Sequence, residues 1–344
     1  MTVGTVSSAP IDDVTPAELL DALRWGGAAE QFAGPSGGAV RVHVAADAPR
    51  PDPAAAPALA SLPLVVVVTS PPGVAPPPAW LALADVALDA DDPSLADIAG
   101  TVGRQPIAAT ALALLLRGHE HRTVPEGLTA ESAVYSALQA GPEFASWRRS
   151  RPARRPSDVE APSVRTERAG DVLHVTLTRP EVHNAFDARM RDGLIDALRV
   201  AAVDRSIARV ELRGAGPSFC SGGDLDEFGT RPDPATAHLV RLHRSAARAL
   251  WAVRDRTVVH VHGACMGSGI ELAAFAGTVR TSDDARIGLP EVSLGLVPGA
   301  GGTVSIPARI GRHRTLWLAL SGRSIDGATA LDWGLADTPE AAGG

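Results

Sequence analysis

Between residues 172 and 288 short apolar strand patterns alternate with helical ones, and that order leaves a layered α/β architecture as the simplest fold. Val172-Leu173-His174-Val175-Thr176-Leu177 alternates like a half-buried strand, and residues 187–202 carry a 3.6-residue apolar period. Residues 208–213 read as the next strand and residues 238–253 as one helix. Residues 258–261 form a further strand, 270–276 a short helix, and 279–281 with 285–288 two more short strands.

Upstream the pattern is looser. Residues 40–44 alternate like a strand, 62–69 read as a buried strand, and 84–89 as a third. Pro-rich turns at 51–57 and 71–78 separate them, and residues 107–116 and 130–138 read as helices. A length of 344 residues fits two domains. The division is set by Arg148-Arg149-Ser150-Arg151-Pro152-Ala153-Arg154-Arg155-Pro156-Ser157, a basic, Pro-rich stretch without apolar periodicity. The expected domains are therefore 1–150 and 164–344, joined by a linker at 151–163.

Composition excludes several function classes. All 32 basic residues are Arg, so lysine nucleophiles and Schiff bases are ruled out, and GC-rich codon usage accounts for the bias. A net charge of −7 argues against a nucleic-acid surface. The two cysteines, Cys220 and Cys265, give neither a disulfide framework nor a metal motif, and the histidines lack partners at ligand spacing. No metal is expected. The start of the chain carries no signal-peptide pattern, and the apolar run at 62–68 is too short to span a bilayer. A cytoplasmic protein without membrane contact is the expectation.

Chemistry concentrates in three segments. Phe219-Cys220-Ser221-Gly222-Gly223-Asp224-Leu225 and Gly267-Ser268-Gly269-Ile270-Glu271-Leu272-Ala273 are glycine-rich loops after strands, each expected to open a helix. Amides at such junctions lack intrahelical acceptors, and the helix dipole adds partial positive charge. Those of Gly223 and Ser268 suit one developing oxyanion. Glu271 sits among apolar neighbours, which raises a carboxyl pKa towards neutrality. Glu291, in Leu289-Pro290-Glu291-Val292-Ser293-Leu294-Gly295, supplies a second carboxylate. Taken singly, each segment reads as an ordinary turn, a helix-start carboxylate or a surface loop. Together they suit addition of water to an activated carbonyl compound, or its removal.

The stretch from about residue 164 to 337 resembles the crotonase superfamily of enoyl-CoA hydratases and isomerases. Four ordered segments carry the likeness: Arg179-Pro180-Glu181-Val182-His183-Asn184-Ala185-Phe186, the two loops above, and the run from Ile287 through Glu291, Pro298 and Gly299 to Thr303. The resemblance implies a ClpP/crotonase-like layered α/β fold, an acyl-CoA thioester substrate, and no cofactor beyond the CoA of that substrate. It implies an oxyanion hole from the Gly223 and Ser268 amides, Glu271 activating water, and Glu291 delivering a proton to the α-carbon. Ala185, Ser221, Asp224, Leu225, Gly267, Pro298 and Gly299 would contact the CoA or acyl group. Fatty-acid metabolism and a homo-oligomer, trimer or hexamer, follow as family expectations.

The expected reaction is hydration of a 2-enoyl-CoA to a 3-hydroxyacyl-CoA, or its reverse. An isomerase, hydrolase or lyase using the same oxyanion hole is the alternative, and a non-catalytic acyl-CoA-binding subunit the second. Two departures stand out: Ser268 replaces a usual glycine, and Asp226 lies where a basic residue near CoA is common. The chain also ends at Gly344, where family members usually continue with further helices. Residues 107–147 look like that helical tail, and the strands before them like a degenerate, shortened crotonase-like core, catalytically silent, whose helices would dock on the C-terminal half as the missing cover.

Overall fold

The computed structural model describes residues 11–34, 36–151, 162–230 and 233–339. Two compact units emerge, Met1–Glu120 with Arg312–Gly322, and His121–Gly311 with Arg323–Gly344.

The first unit runs β1 (Asp12–Val14), α1 (Pro16–Trp25), α2 (Ala28–Phe32), β2 (Gly38–His43), α3 (Ala55–Leu59), β3 (Leu64–Ser70), α4 (Pro78–Leu83), β4 (Val86–Asp89), α5 (Ser94–Arg104) and α6 (Pro106–Arg117). Its four strands are all parallel and lie in sequence order. Every residue of β3 is buried, as a central parallel strand covered on both faces requires. Val40, Val42, Leu64, Val66 and Val68 face Leu19, Leu23, Leu59 and Trp80 in one apolar core. A buried ion pair lies beside that core: Asp85 accepts from the Val66 amide at 2.8 Å and from Arg117 Nε at 2.9 Å, so it is paired rather than stranded.

The second unit contains α7 (Val124–Gln139), α8 (Pro142–Ser150), β5 (Val164–Ala169), β6 (Val172–Leu177), α9 (Ala188–Val203), β7 (Arg209–Gly214), α10 (Pro234–His243), α11 (Ala246–Val253), β8 (Thr257–Val261), β9 (Ala264–Met266), α12 (Ser268–Ala273), β10 (Thr278–Thr281), β11 (Arg286–Gly288), α13 (Gly302–Ser321), α14 (Gly327–Trp333) and β12 (Thr338–Pro339). Six strands form one sheet in the order β12-β10-β8-β7-β6-β5, parallel except for the β5–β6 pair. β9 and β11 form a small second layer that carries the chain into α12. The layered α/β expectation holds. The helix α13 breaks at Gly311, whose φ is 75°, and the residues after the break group with the first unit.

Two features differ from the sequence reading. Residues 238–253 are two helices: α10 ends at His243, and the Ser245 hydroxyl caps α11 by accepting from the Arg248 amide at 3.2 Å. The compact units also divide at Glu120 rather than at 150. The helix α7 turns Leu128, Glu131, Tyr135 and Leu138 inward within the second unit, so it groups with residues far downstream. Most of the expected linker, residues 152–161, lies outside the described residues. Among the described residues no single helix is long and apolar enough to cross a membrane.

Candidate active site

The second unit contains a cavity of about 1190 Å³, its open mouth included, lined by Gly223, Ser268, Glu271, Glu291, Glu131 and Tyr135 among others. All four residues read from sequence as catalytic thus share one cavity. Asp224 and Gly299 line it too, whereas Ala185, Ser221, Leu225, Gly267 and Pro298 do not.

The two amides are presented by different devices. Ser268 is the first residue of α12, and its N–H has no intrahelical acceptor. Gly223 lies at no helix start. A bridge holds it instead: the Phe186 amide donates to the Gly222 carbonyl at 2.8 Å and the Asp224 amide to the Phe186 carbonyl at 2.9 Å, skipping Gly223. Neither amide has an acceptor among the described residues. The segment from Arg179 to Phe186 acts as the scaffold for this loop. Buried Asn184 donates to the Ala215 and Ser218 carbonyls at 2.9 and 2.8 Å. Arg179 bridges Asp187 and Asp224 at 3.0 and 3.1 Å, so the Asp224 carboxylate is engaged by protein. Asp226 meets Arg151 at 3.3 Å, which places a positive charge beside the position where the sequence puts an acid.

Both expected carboxylates are buried. Glu271, 2% exposed, accepts through Oε2 from the Ala300 and Gly302 amides at 2.7 and 2.9 Å. Glu291, 7% exposed, follows a Pro290 turn, and its Oε2 has no hydrogen-bond partner among the described residues. Close packing explains two of the glycines. A Cβ on Gly302 would meet Glu271 Cγ at 2.6 Å, and one on Gly267 would collide with Glu291 Oε1. Gly267 also has φ 47° and ψ −121°, a backbone that side chains resist. Gly267→Ala is expected to cost about 2 kcal/mol, read as a lower urea midpoint with an unchanged slope.

Sequence reasoning missed a third carboxylate. Glu131, on α7, is 2% exposed. Its Oε1 accepts from the Gly301 amide at 2.7 Å, and its Oε2 from the Thr303 amide at 2.9 Å and hydroxyl at 2.7 Å. Three residues further on, Tyr135 joins the cavity wall, with Arg241 of α10 stacked 4.6 Å from its ring centroid. Arg241 donates to Ser132 and Ser136, tying α10 to α7. No sequence signal set Glu131 apart: the inward face of α7 also carries Ser132 and Ser136.

Burial governs the protonation of all three acids. It pushes Glu131 up to about 7 against the pull of the Thr303 and Gly301 hydrogen bonds. Glu291 is pushed up to about 8 by burial, against the pull of a hydrogen bond from its own amide, with Glu131 adding to the rise. Glu271 is raised well above the usual carboxylate range by burial, then by Glu291 and Glu131, while its two amide bonds oppose the rise. The hydrogen bonds break the symmetry between the pair. Two amides favour the anion at Glu271, whereas at Glu291 only its own amide does and Oε2 goes unbonded among the described residues, so the shared proton is assigned to Glu291. One base, one acid and two free amides in a single cavity can polarise a carbonyl and move a proton on and off carbon. Among the described residues no cluster of His, Cys, Asp or Glu suits a metal ion.

A family model for enoyl-CoA hydratase/isomerase matches residues 167–341, just over half of the chain. A 2,3-dehydroadipyl-CoA hydratase from Escherichia coli (strain K12) is 35% identical over 164 residues, covering 48% of this chain and 64% of that protein. A probable enoyl-CoA hydratase from Mycobacterium leprae (strain TN) is 32% identical over 163 residues, covering 47% and 62%. The chain thus spans less than two thirds of the length of these relatives. Among solved structures, an enoyl-CoA hydratase from Thermoplasma volcanium GSS1 aligns with a TM-score of 0.48 and 32% identity, over 53% of this chain and 73% of that one.

Proposed function

We propose that this chain, which belongs to the enoyl-CoA hydratase/isomerase family, adds water to the double bond of a 2-enoyl-CoA. The product is a 3-hydroxyacyl-CoA, and the reverse dehydration uses the same groups. One observation carries the reading: two buried carboxylates of unlike hydrogen bonding line a cavity with two unengaged amides.

The thioester oxygen accepts from the Gly223 and Ser268 amides, which stabilise the enolate as charge moves onto it. Glu271, held by Ala300 and Gly302, takes a proton from water as its oxygen bonds to the β-carbon. Glu291 gives its proton to the α-carbon. One O–H bond of water breaks, C–O and C–H bonds form, and the two carboxyls exchange roles. No cofactor is needed beyond the CoA that arrives with the substrate. Arg179 and Asn184 act on the reaction only by holding the Gly223 loop.

Loss of the enoyl-thioester absorbance of crotonyl-CoA, and of longer and aryl analogues, tests this reading. Turnover is expected, and it falls about tenfold per pH unit once Glu291 loses its proton, above about 8. Acyl-CoA binding without consumption of any enoyl-CoA would sink the hydratase reading. An isomerase, a hydrolase or a binding subunit would then take its place.

A further inference from the structure

We infer that Glu131, which lies outside the family-matched residues, is a positioning residue for the proposed hydration: it fixes the loop that holds Glu271 and sets the charge around Glu291. The inference rests on the hydratase reading above.

Consecutive amides of one loop alternate between two carboxylates. Ala300 and Gly302 donate to Glu271, while Gly301 and Thr303 donate to Glu131. These donors lie at and just before the start of α13, where no intrahelical acceptor exists. Two acids from different helices, α12 and α7, therefore staple the same four residues. Remove Glu131 and the Gly301 and Thr303 amides lose their acceptor in the interior, so the loop must turn to find others. The clamp on Glu271 moves with it. A small displacement of a base from its water is costly in rate, because the reacting atoms must approach within a narrow range.

The second effect is electrostatic. Glu131 shares the cavity wall with Glu271 of α12, Glu291 of the Pro290 turn, Tyr135 of its own helix and Arg241 of α10. Above about 7 Glu131 is ionised, a form that Arg241 favours, and its negative charge opposes ionisation at Glu271 and Glu291. Taking it away lets Glu291 give up its proton at lower pH. Position and charge thus act together: Glu131 orients the base and keeps the acid protonated.

The test measures kcat and KM for crotonyl-CoA across pH with the full chain, Glu131→Gln and Thr303→Val. Thr303→Val removes only the hydroxyl bond to Glu131 and leaves the loop amide in place, so it guards against a variant that fails to fold. Glu131→Gln is expected to lower kcat roughly 10–100-fold with KM within about threefold, and to move the alkaline limb to lower pH. Thr303→Val should lower kcat in the same sense by less. Wild-type limbs with kcat within about twofold in Glu131→Gln would overturn the inference and leave the hydratase reading intact. So would losses of kcat that follow lost folded content while the limbs stay in place. If the wild type turns over no enoyl-CoA, the hydratase reading falls. Infrared titration of the carboxyl groups of the free protein then decides the coupling: an unmoved Glu291 titration in Glu131→Gln overturns it.

Discussion

Glu271→Gln is expected to lower kcat about a thousandfold while acyl-CoA binding stays within a few-fold of wild type. The amide variant keeps the size of the side chain and one acceptor for the Ala300 and Gly302 amides, but it cannot take a proton from water. Its NH2 group also adds a donor near those amides, so the loss is not purely chemical. Binding should be spared because, on the proposed mechanism, the thioester oxygen is held by the Gly223 and Ser268 amides, which the substitution does not touch. Glu291→Gln should cost a comparable factor through loss of the proton donor. Single-turnover rates and KM for crotonyl-CoA separate the two effects. A hydratase needs both acids, so a variant of either one that retains more than a tenth of wild-type kcat would contradict the two-carboxylate mechanism.

Much of this site could be read from local sequence because its parts are local. A glycine-rich turn, a short apolar helix and a carboxylate after proline each fit within seven residues. Distance along the chain defeats that kind of reading. Glu131 meets Gly301 and Thr303 across about half the chain, and nothing in the spacing around it differs from a helix surface. Its helix reads correctly as a helix, yet its partner depends on packing alone. The edge strand β5 escaped for another reason: all but one of its residues are exposed, so it offers no apolar alternation and is defined only by pairing with β6. The break at Ser245, a helix cap, was a signal of the ordinary kind that apolar periodicity overrides.

Stability should carry the mark of the buried acids, most simply at Glu291. Its carboxyl titrates near 4.5 in an unfolded chain and is pushed up to about 8 in the fold. Between those values the folded state binds more protons than the unfolded state, so stability falls as pH rises. The sign follows from a raised pKa: the protonated acid destabilises nothing below 4.5, the loss grows through the window, and it levels off above about 8. The slope from this one group reaches about 1.4 kcal/mol per pH unit at most. Glu291→Gln removes the titration and leaves a neutral group of the same shape in the same buried place. The variant should therefore match wild type near pH 4.5 and exceed it increasingly towards pH 8, by on the order of 2 kcal/mol once relaxation and partial hydration are allowed for. Urea midpoints at a series of pH values read this directly. Curves that run parallel across the window would mean that Glu291 is already ionised in the fold at neutral pH, and the assignment of the proton donor would go with it.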